Sequence, residues 1–154
     1  MPDPNTHKTL LGFDFGLKQI GVACGQTLTN TSKALSIIKA TDGVPNWEQL
    51  DPLFNEWKPS ILVVGLPLNM DGSESELSLL AGKFARRLKA RFKTEVVMMD
   101  ERLTSREIKA SLREDADNSK SKRKAIDPTK IDHLAAALIL QNWLDNPHLG
   151  QTIL

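Results

Sequence analysis

One uninterrupted apolar run, Ile61-Leu-Val-Val64, most constrains what this chain can fold into. A strand without polar positions is expected where both faces of a sheet are covered, as in sheets flanked by helices. Apolar residues recur at helical spacing in the segment before this run, from Trp47 to Trp57. The sequence therefore predicts an α/β fold with helices on both faces of the sheet.

The predicted elements begin with three strands and then alternate between helix and strand. The first two strands are separated by only Leu17, Lys18 and Gln19, which favours a hairpin. Ser73 and Glu76 have capping-box spacing and predict the start of a helix. The full prediction is strands over 9–15, 20–25, 34–38, 61–64 and 96–99, and helices over 47–57, 73–92, 104–113 and 128–144.

The length of 154 residues suits a single domain, which we expect over residues 9–145, with tails over 1–8 and 146–154. Cys24 is the only cysteine, so no internal disulfide can form and we expect a reducing, cytoplasmic location. No apolar stretch reaches the roughly 18 residues of a membrane span, so no membrane association is expected. The net charge of +1 is a sum of opposed acidic and basic clusters and does not exclude nucleic acid.

Acidic residues end two of the predicted strands. Asp14 follows an apolar segment, where a carboxylate is costly unless it is hydrogen-bonded, paired or bound to a metal; the alternative is an aspartate that caps the following turn. Asp100 and Glu101 end another apolar strand. Because side chains alternate along a strand, at most one of these two shares a face with Asp14.

A third acid, Asp132, lies in an apolar helix. It either completes a capping box with Thr129, or is stabilised by the positive end of the helix dipole, or belongs to a metal site. Carboxylates that converge from two strand ends and a helix repel one another, and a divalent cation resolves that repulsion. Oxygen ligands select Mg²⁺ or Mn²⁺, whereas the cysteine and the histidines lack the spacing of zinc ligands.

Four motifs, in order between about residues 9 and 145, resemble the YqgF family of bacterial proteins. They are Asp14-Phe-Gly-Leu-Lys-Gln-Ile-Gly-Val-Ala23, Val64-Gly-Leu-Pro-Leu-Asn-Met-Asp-Gly72, Asp100-Glu-Arg-Leu-Thr-Ser105, and Lys130-Ile-Asp132 with Ala135-Ala-Ala137.

The family is described as Holliday junction resolvases, or as nucleases that mature the precursor of small-subunit ribosomal RNA. The resemblance implies an RNase H-like fold with a five-stranded mixed sheet, order 3-2-1-4-5, and strand 2 antiparallel to the others. It implies metal binding and catalysis by Asp14, Glu101 and Asp132, with Asp100 as the alternative to Glu101.

This chain departs from the wider resolvase superfamily at one position. Those enzymes usually carry an acid near the end of the fourth strand, where this chain has Leu66-Pro-Leu-Asn69. The compensating acid would be Glu101, which would have to reach towards Asp14 from one strand farther away.

Several residues are candidates for binding nucleic acid. Asn69 either hydrogen-bonds substrate or shapes its loop, and Arg102 either holds a phosphate or pairs with Asp100. A basic cluster over residues 83–93 is typical of a solvated helix face, whereas a basic loop before Asp132 favours phosphate contact. The candidates are Lys18, Asn69, Arg102, Lys120, Lys122, Arg123, Lys124 and Lys130.

The leading hypothesis is therefore a metal-dependent nuclease that matures the 5′ end of 16S ribosomal RNA, acting on pre-ribosomal RNA. The alternatives are a Holliday junction resolvase acting on branched DNA, which needs a two-fold dimer, and a binding module that assists assembly without cutting. We expect a monomer or a homodimer. A resemblance of Asp14-Phe-Gly16 to the first phosphate motif of actin-like ATPases is weaker, because those folds pair two such domains.

Overall fold

The computed structural model describes residues 8–103 and 128–153, and for 103 and 128–133 it describes the backbone only. The strands are β1 Thr9–Asp14, β2 Gln19–Gln26, β3 Thr31–Thr41, β4 Val44–Pro45, β5 Ile61–Leu66, β6 Glu95–Asp100 and β7 Gln151–Thr152. The helices are α1 Trp47–Trp57, α2 Glu76–Phe92 and α3 Pro128–Asp145, with 3-10 turns at Glu101–Leu103 and Pro147–Leu149. The helix expected over 104–113 and the tail over 1–7 lie outside the described residues.

The strands form one mixed sheet in the order β4-β3-β2-β1-β5-β6-β7. Its five inner strands have the predicted order, and β2 runs antiparallel to both of its neighbours while β1, β5 and β6 are parallel. The prediction of five strands is wrong, because β4 pairs with the end of β3 and β7 pairs with β6. Each added strand has two residues, too few to show an alternating pattern.

The chain after residue 145 packs on the sheet, although we expected a tail there. β7 pairs antiparallel with Val97 and Met98 of β6. At Gly150, a Cβ atom would lie 2.4 Å from Val97 Cγ1 and 3.0 Å from the Trp143 ring, so only glycine allows this approach. Lys89 of α2 also donates a hydrogen bond to the carbonyl of Ile153.

The N-cap of α2 is Ser75, not Ser73 as the capping-box pattern predicted. The Ser75 side chain accepts a hydrogen bond from the Ser78 backbone, and the Ser78 hydroxyl accepts one from the Ser75 backbone. Ser78 thus takes the part that we expected of Glu76. The bounds of α1 and α3 agree with the prediction to within one residue.

Two apolar layers cover the sheet, one on each face, as predicted. Along β1, Leu11 and Phe13 pack with α1 and α2, whereas Leu10 packs with α3. All three side chains are completely buried. β1 is also hydrogen-bonded to a strand on either side, so it is the centre of the molecule.

Helix α3 lies directly on the backbone of β1 and β2. A Cβ atom at Gly12 would stand 2.8 Å from Leu140 Cβ, and one at Gly25 would stand 2.9 Å from Leu140 Cδ2. The Ser32 hydroxyl donates to the carbonyl of Ala137 in the same helix. The two glycines therefore set how closely α3 approaches the sheet.

Gly12→Ala should destabilise the protein by about 1–3 kcal/mol, because the added methyl group overpacks the contact with Leu140. Gly82→Ala is the matched control. It lies inside α2, where a Cβ atom would come only within 3.4 Å of the mobile end of Arg86, so we expect it to stabilise by about 0.5–1 kcal/mol. Urea unfolding measures both, and equal effects of the two substitutions would contradict the close packing of α3.

Candidate active site

Asp14 ends β1 on the face of the sheet that α3 covers. Leu10, Gly12 and Asp14 alternate along the strand, and the first two face α3. Asp14 pairs with Gly21 of β2 and lies one position beyond the pair that Phe13 makes with Val64, so its neighbour on β5 is Gly65. The partly buried carboxylate therefore stands between two strand positions that carry no side chain.

Glu101 extends over β5 on the same face. Its Oε1 atom lies 2.5 Å, and its Cδ atom 3.2 Å, from the point that a Cβ atom of Gly65 would occupy. Ile139 Cδ1 of α3 is 2.6 Å from the same point. The Glu101 carboxylate thus lies between β5 and α3, next to the strand that carries Asp14.

Asp100 lies on the other face. It pairs with Leu66 of β5, and Leu66 packs in the layer formed with α1 and α2. Alternation allowed at most one of Asp100 and Glu101 to share a face with Asp14, and the structure brings Glu101 to that face.

Arg102 forms an ion pair with Asp100. Its Nη2 atom donates to Asp100 Oδ2 at 2.7 Å, and its backbone nitrogen donates to Oδ1 at 2.9 Å. Burial is the largest influence on the pKa of Asp100 and raises it, but the hydrogen bonds and charge of Arg102 together bring that pKa below its usual value. The structure thus shows the ion pair that sequence analysis gave as one alternative for Arg102.

The loop from Pro67 to Ser75 is held largely by its own side chains. The Asn69 amide donates to Ser73 Oγ at 3.0 Å, and Asp71 accepts from the Ser73 hydroxyl at 2.6 Å. The Ser75 hydroxyl donates to the carbonyl of Pro67 at 2.6 Å. In this structure Asn69 shapes its loop, which was one of its two predicted roles.

The first turn of α3 lies at the Asp14 end of the sheet. The other end is placed by Asp145, which accepts a hydrogen bond from Asn30 in the β2–β3 turn, so α3 runs antiparallel to β1. Asp14 is two strand residues past Gly12, about 6.6 Å. Residue 132 is one helical turn, about 6 Å, before Ala136, whose carbonyl lies over Gly12. The backbone of residue 132 is therefore level with Asp14.

Some predicted site residues lie outside what the structure describes. The side chains of Lys130 and Asp132 are not described, nor is the loop with Lys120, Lys122, Arg123 and Lys124. Within the described residues, no group of three or more histidines, cysteines or acids could hold a metal ion. The structure thus places two of the three predicted acids and leaves the third untested.

A cavity of about 350 Å³ opens beside Asp14 and is lined by residues 14–19 and Gly21. Lys18 is exposed on its wall. Its backbone carbonyl accepts a hydrogen bond from Ala40, which ties the β1–β2 turn to β3. Lys18 and Asp14 thus border the same cavity.

Sequence reasoning missed the part that Gly65 takes in the site. Its signal was available: a glycine near the end of an otherwise apolar strand often marks a close approach by another group.

The anchoring of the Pro67–Ser75 loop by Arg102 was also missed. The Arg102 Nη1 atom donates to the carbonyl of Met70 at 3.3 Å.

A family model described as "RuvX: Holliday junction resolvase" matches residues 8–146 of the chain. The chain belongs to this family. The RuvX match confirms the family predicted from the four motifs, and with it an enzyme class, the nucleases, which hydrolyse ester bonds of nucleic acids.

Curated relatives of this RuvX-family protein carry the name "Putative pre-16S rRNA nuclease". The relative from Haemophilus ducreyi is 48% identical over 138 residues, which cover 90% of this chain and 96% of the relative. The relative from Coxiella burnetii is 50% identical over 141 residues, which cover 92% of this chain and 95% of the relative.

Among solved structures, RuvC of T. thermophilus in complex with Holliday junction substrate matches with a TM-score of 0.53 at 12% identity. The match covers 95% of this RuvX-family chain and 99% of the RuvC chain. At that identity the similarity concerns the fold alone, and it supports the α/β fold with a mixed sheet. Of the helices that the structure describes, none has the length and apolarity to cross a membrane.

Asp100 should make the stability of the protein depend on pH in the acid range. Because its pKa is lower in the folded chain than in the unfolded one, its ion pair stabilises the fold above about pH 4, the ordinary pKa of aspartate. That stabilisation is lost as the pH falls through the lower, folded pKa. In EDTA, the difference in unfolding free energy between wild type and Asp100→Asn should therefore shrink below about pH 4, as measured by urea unfolding.

Asp51→Asn is the control, because Asp51 forms a more exposed salt bridge with Arg91. The side chains of Asp51 and Arg91 are 37% and 41% exposed, whereas those of Asp100 and Arg102 are 12% and 35% exposed. About 1 M salt should remove most of the effect of Asp51→Asn and less of the effect of Asp100→Asn. A difference between wild type and Asp100→Asn that stays constant with pH would contradict the role of this ion pair.

Proposed function

We propose that this protein is a divalent-metal-dependent nuclease that matures the 5′ end of 16S ribosomal RNA, with Asp14, Glu101 and Asp132 as its metal-binding acids. The observation that carries the proposal is the placement of Asp14 and Glu101 on one face of the sheet, Asp14 at the carboxyl end of β1 and Glu101 directly after β6. In open α/β sheets this edge is where ligands bind. The RNase H-like fold is part of the same proposal and rests on the order of the five inner strands.

The residues present fit a divalent cation. The Glu101 carboxylate lies over Gly65, beside the strand that ends at Asp14, in a space that a side chain on β5 would fill. Oxygen donors of this kind suit Mg²⁺ or Mn²⁺. Asp132 would complete the set from α3, since the backbone of residue 132 is level with Asp14. Such an ion supplies charge stabilisation for the phosphate and activation of the attacking water.

The cations of the chain would hold the substrate. Lys18 stands on the wall of the cavity beside Asp14, where it can bind a phosphate next to the scissile one. We assign further phosphate contacts to Lys130 and to the basic loop with Lys120, Lys122, Arg123 and Lys124. Asn69 and Arg102 would contribute by shaping the loop after β5, because both side chains are hydrogen-bonded within it or to its neighbours.

The relatives' name favours ribosomal RNA as substrate, and a bacterial cytoplasm as location. The family description favours a four-way DNA junction as the second candidate. A resolvase has to cut two symmetric strands, which requires a two-fold dimer. Light scattering of the protein with each substrate therefore separates the two, since a chain that stays a monomer on the junction contradicts the resolvase.

Asp14→Asn should reduce cleavage of a 16S ribosomal RNA precursor in Mg²⁺ or Mn²⁺ by at least about a hundredfold, because it removes a charge that holds the cation. Binding of the same RNA in EDTA should change little. Asp145→Asn is the matched control at the far end of α3, where asparagine keeps an oxygen that accepts from Asn30. A gel-based cleavage assay and filter binding measure the two quantities.

Full cleavage by Asp14→Asn would refute the assignment of the site. If neither wild type nor variant cuts, while neutralising Lys120, Lys122, Arg123 and Lys124 abolishes RNA binding, the protein is a binding module. Cleavage of the junction but not of the RNA would reverse the choice of substrate.

A further inference from the structure

Asp14 ends β1 and Glu101 directly follows β6, and these two strands are not neighbours. β5 lies between β1 and β6, and adjacent strands are about 4.8 Å apart, so the two backbones are separated by roughly 10 Å. A side chain on β5 that faced α3 at this level would stand between the two carboxylates. Gly65 occupies that position.

The backbone of Gly65 does not itself require glycine. The residue lies within a regular stretch of β5 and pairs with Met99 of β6, and its φ angle is not in the positive range. Glycine weakens a strand interior, because it has no side chain to pack. The reason for glycine here is therefore space, and that space is filled by the Glu101 carboxylate and by Ile139 Cδ1.

We propose that Gly65 is a positioning residue, whose missing side chain lets Glu101 reach across β5 to share a divalent cation with Asp14. This rests on the proposed function, in which these two acids hold the ion. An acid directly after β6 thereby serves a position that an acid at the end of β5 would otherwise supply. An added methyl group would push Oε1 from a point only 2.5 Å away, and Glu101 would withdraw towards β6.

Gly65→Ala alone would not isolate this effect, because the methyl group would also meet Ile139 Cδ1 at 2.6 Å. Ile139→Val removes that one carbon atom and leaves the rest of the side chain. The test is therefore Gly65→Ala in an Ile139→Val background, compared with Ile139→Val by itself. The probe is Mn²⁺, whose binding is followed by electron paramagnetic resonance in the absence of nucleic acid.

We expect Gly65→Ala in this background to weaken Mn²⁺ binding at least tenfold, a size typical of losing the support of a metal ligand. The unfolding transition in EDTA should stay close to that of Ile139→Val. In a Glu101→Gln background the same glycine substitution should have little further effect on Mn²⁺ binding, because it acts through that carboxylate.

The proposal would be overturned if Gly65→Ala in the Ile139→Val background bound Mn²⁺ within twofold of Ile139→Val alone. It would also be overturned if Gly65→Ala weakened Mn²⁺ binding by the same factor in the Glu101→Gln background. If Gly65→Ala instead prevents folding, Glu101→Ala should restore the fold by removing the crowded carboxylate, and failure to restore it would also overturn the proposal. Equal Mn²⁺ binding by wild type and Asp14→Asn would refute the proposed function itself, and this inference with it.

Discussion

The close approach of α3 to the sheet is the contact on which the candidate site depends. Gly12 and Gly25 present bare backbone to Leu140, so the helix rests on β1 and β2 instead of on a layer of side chains. Packing at this distance leaves little freedom for the helix to shift, because interiors are close-packed. The hydrogen bond from Asn30 to Asp145 places the far end of α3, and the backbone of residue 132 is thereby set level with Asp14.

Electrostatics explains why the acids of this edge are divided between two faces. Asp100 is neutralised by Arg102, on the side of α1 and α2, whereas Glu101 is directed to the side of Asp14. If both acids faced Asp14, three carboxylates from described strand ends would crowd one space, and the like charges would raise one another's pKa. Arg102 thus limits the negative charge that has to be balanced at the site.

Much of the fold follows from hydrophobic periodicity and from the motifs that resemble a known family. The inner strand order was implied by the resemblance of the four motifs to a known family. The bounds of α1 and α3 could be predicted because long amphipathic or apolar segments have few alternative placements. β4 and β7 could not, because strands of two residues are stabilised by their partners and carry no periodic signal. The cap at Ser75 was missed because serine at residue 78 can replace the expected glutamate.

For the candidate site, the sequence could show that acids end two strands but not which acid faces which layer. Alternation separates Asp100 from Glu101, yet the choice between them depends on a register, the pairing of Asp100 with Leu66. The part of Gly65 depends on a three-dimensional contact between residues 36 positions apart in the chain. A glycine near the end of an apolar strand indicates a close approach, but it does not identify the group that approaches.

The ion pair of Asp100 and Arg102 also links the two loops that border the site. Arg102 directly follows Glu101 in a 3-10 turn, and its guanidinium donates both to Asp100 and to the carbonyl of Met70. With Arg102 held on one face, the short turn directs the preceding side chain to the other face, over Gly65. The loop after β5 and the acid after β6 are therefore coupled through one guanidinium, so that a displacement of either would move the other.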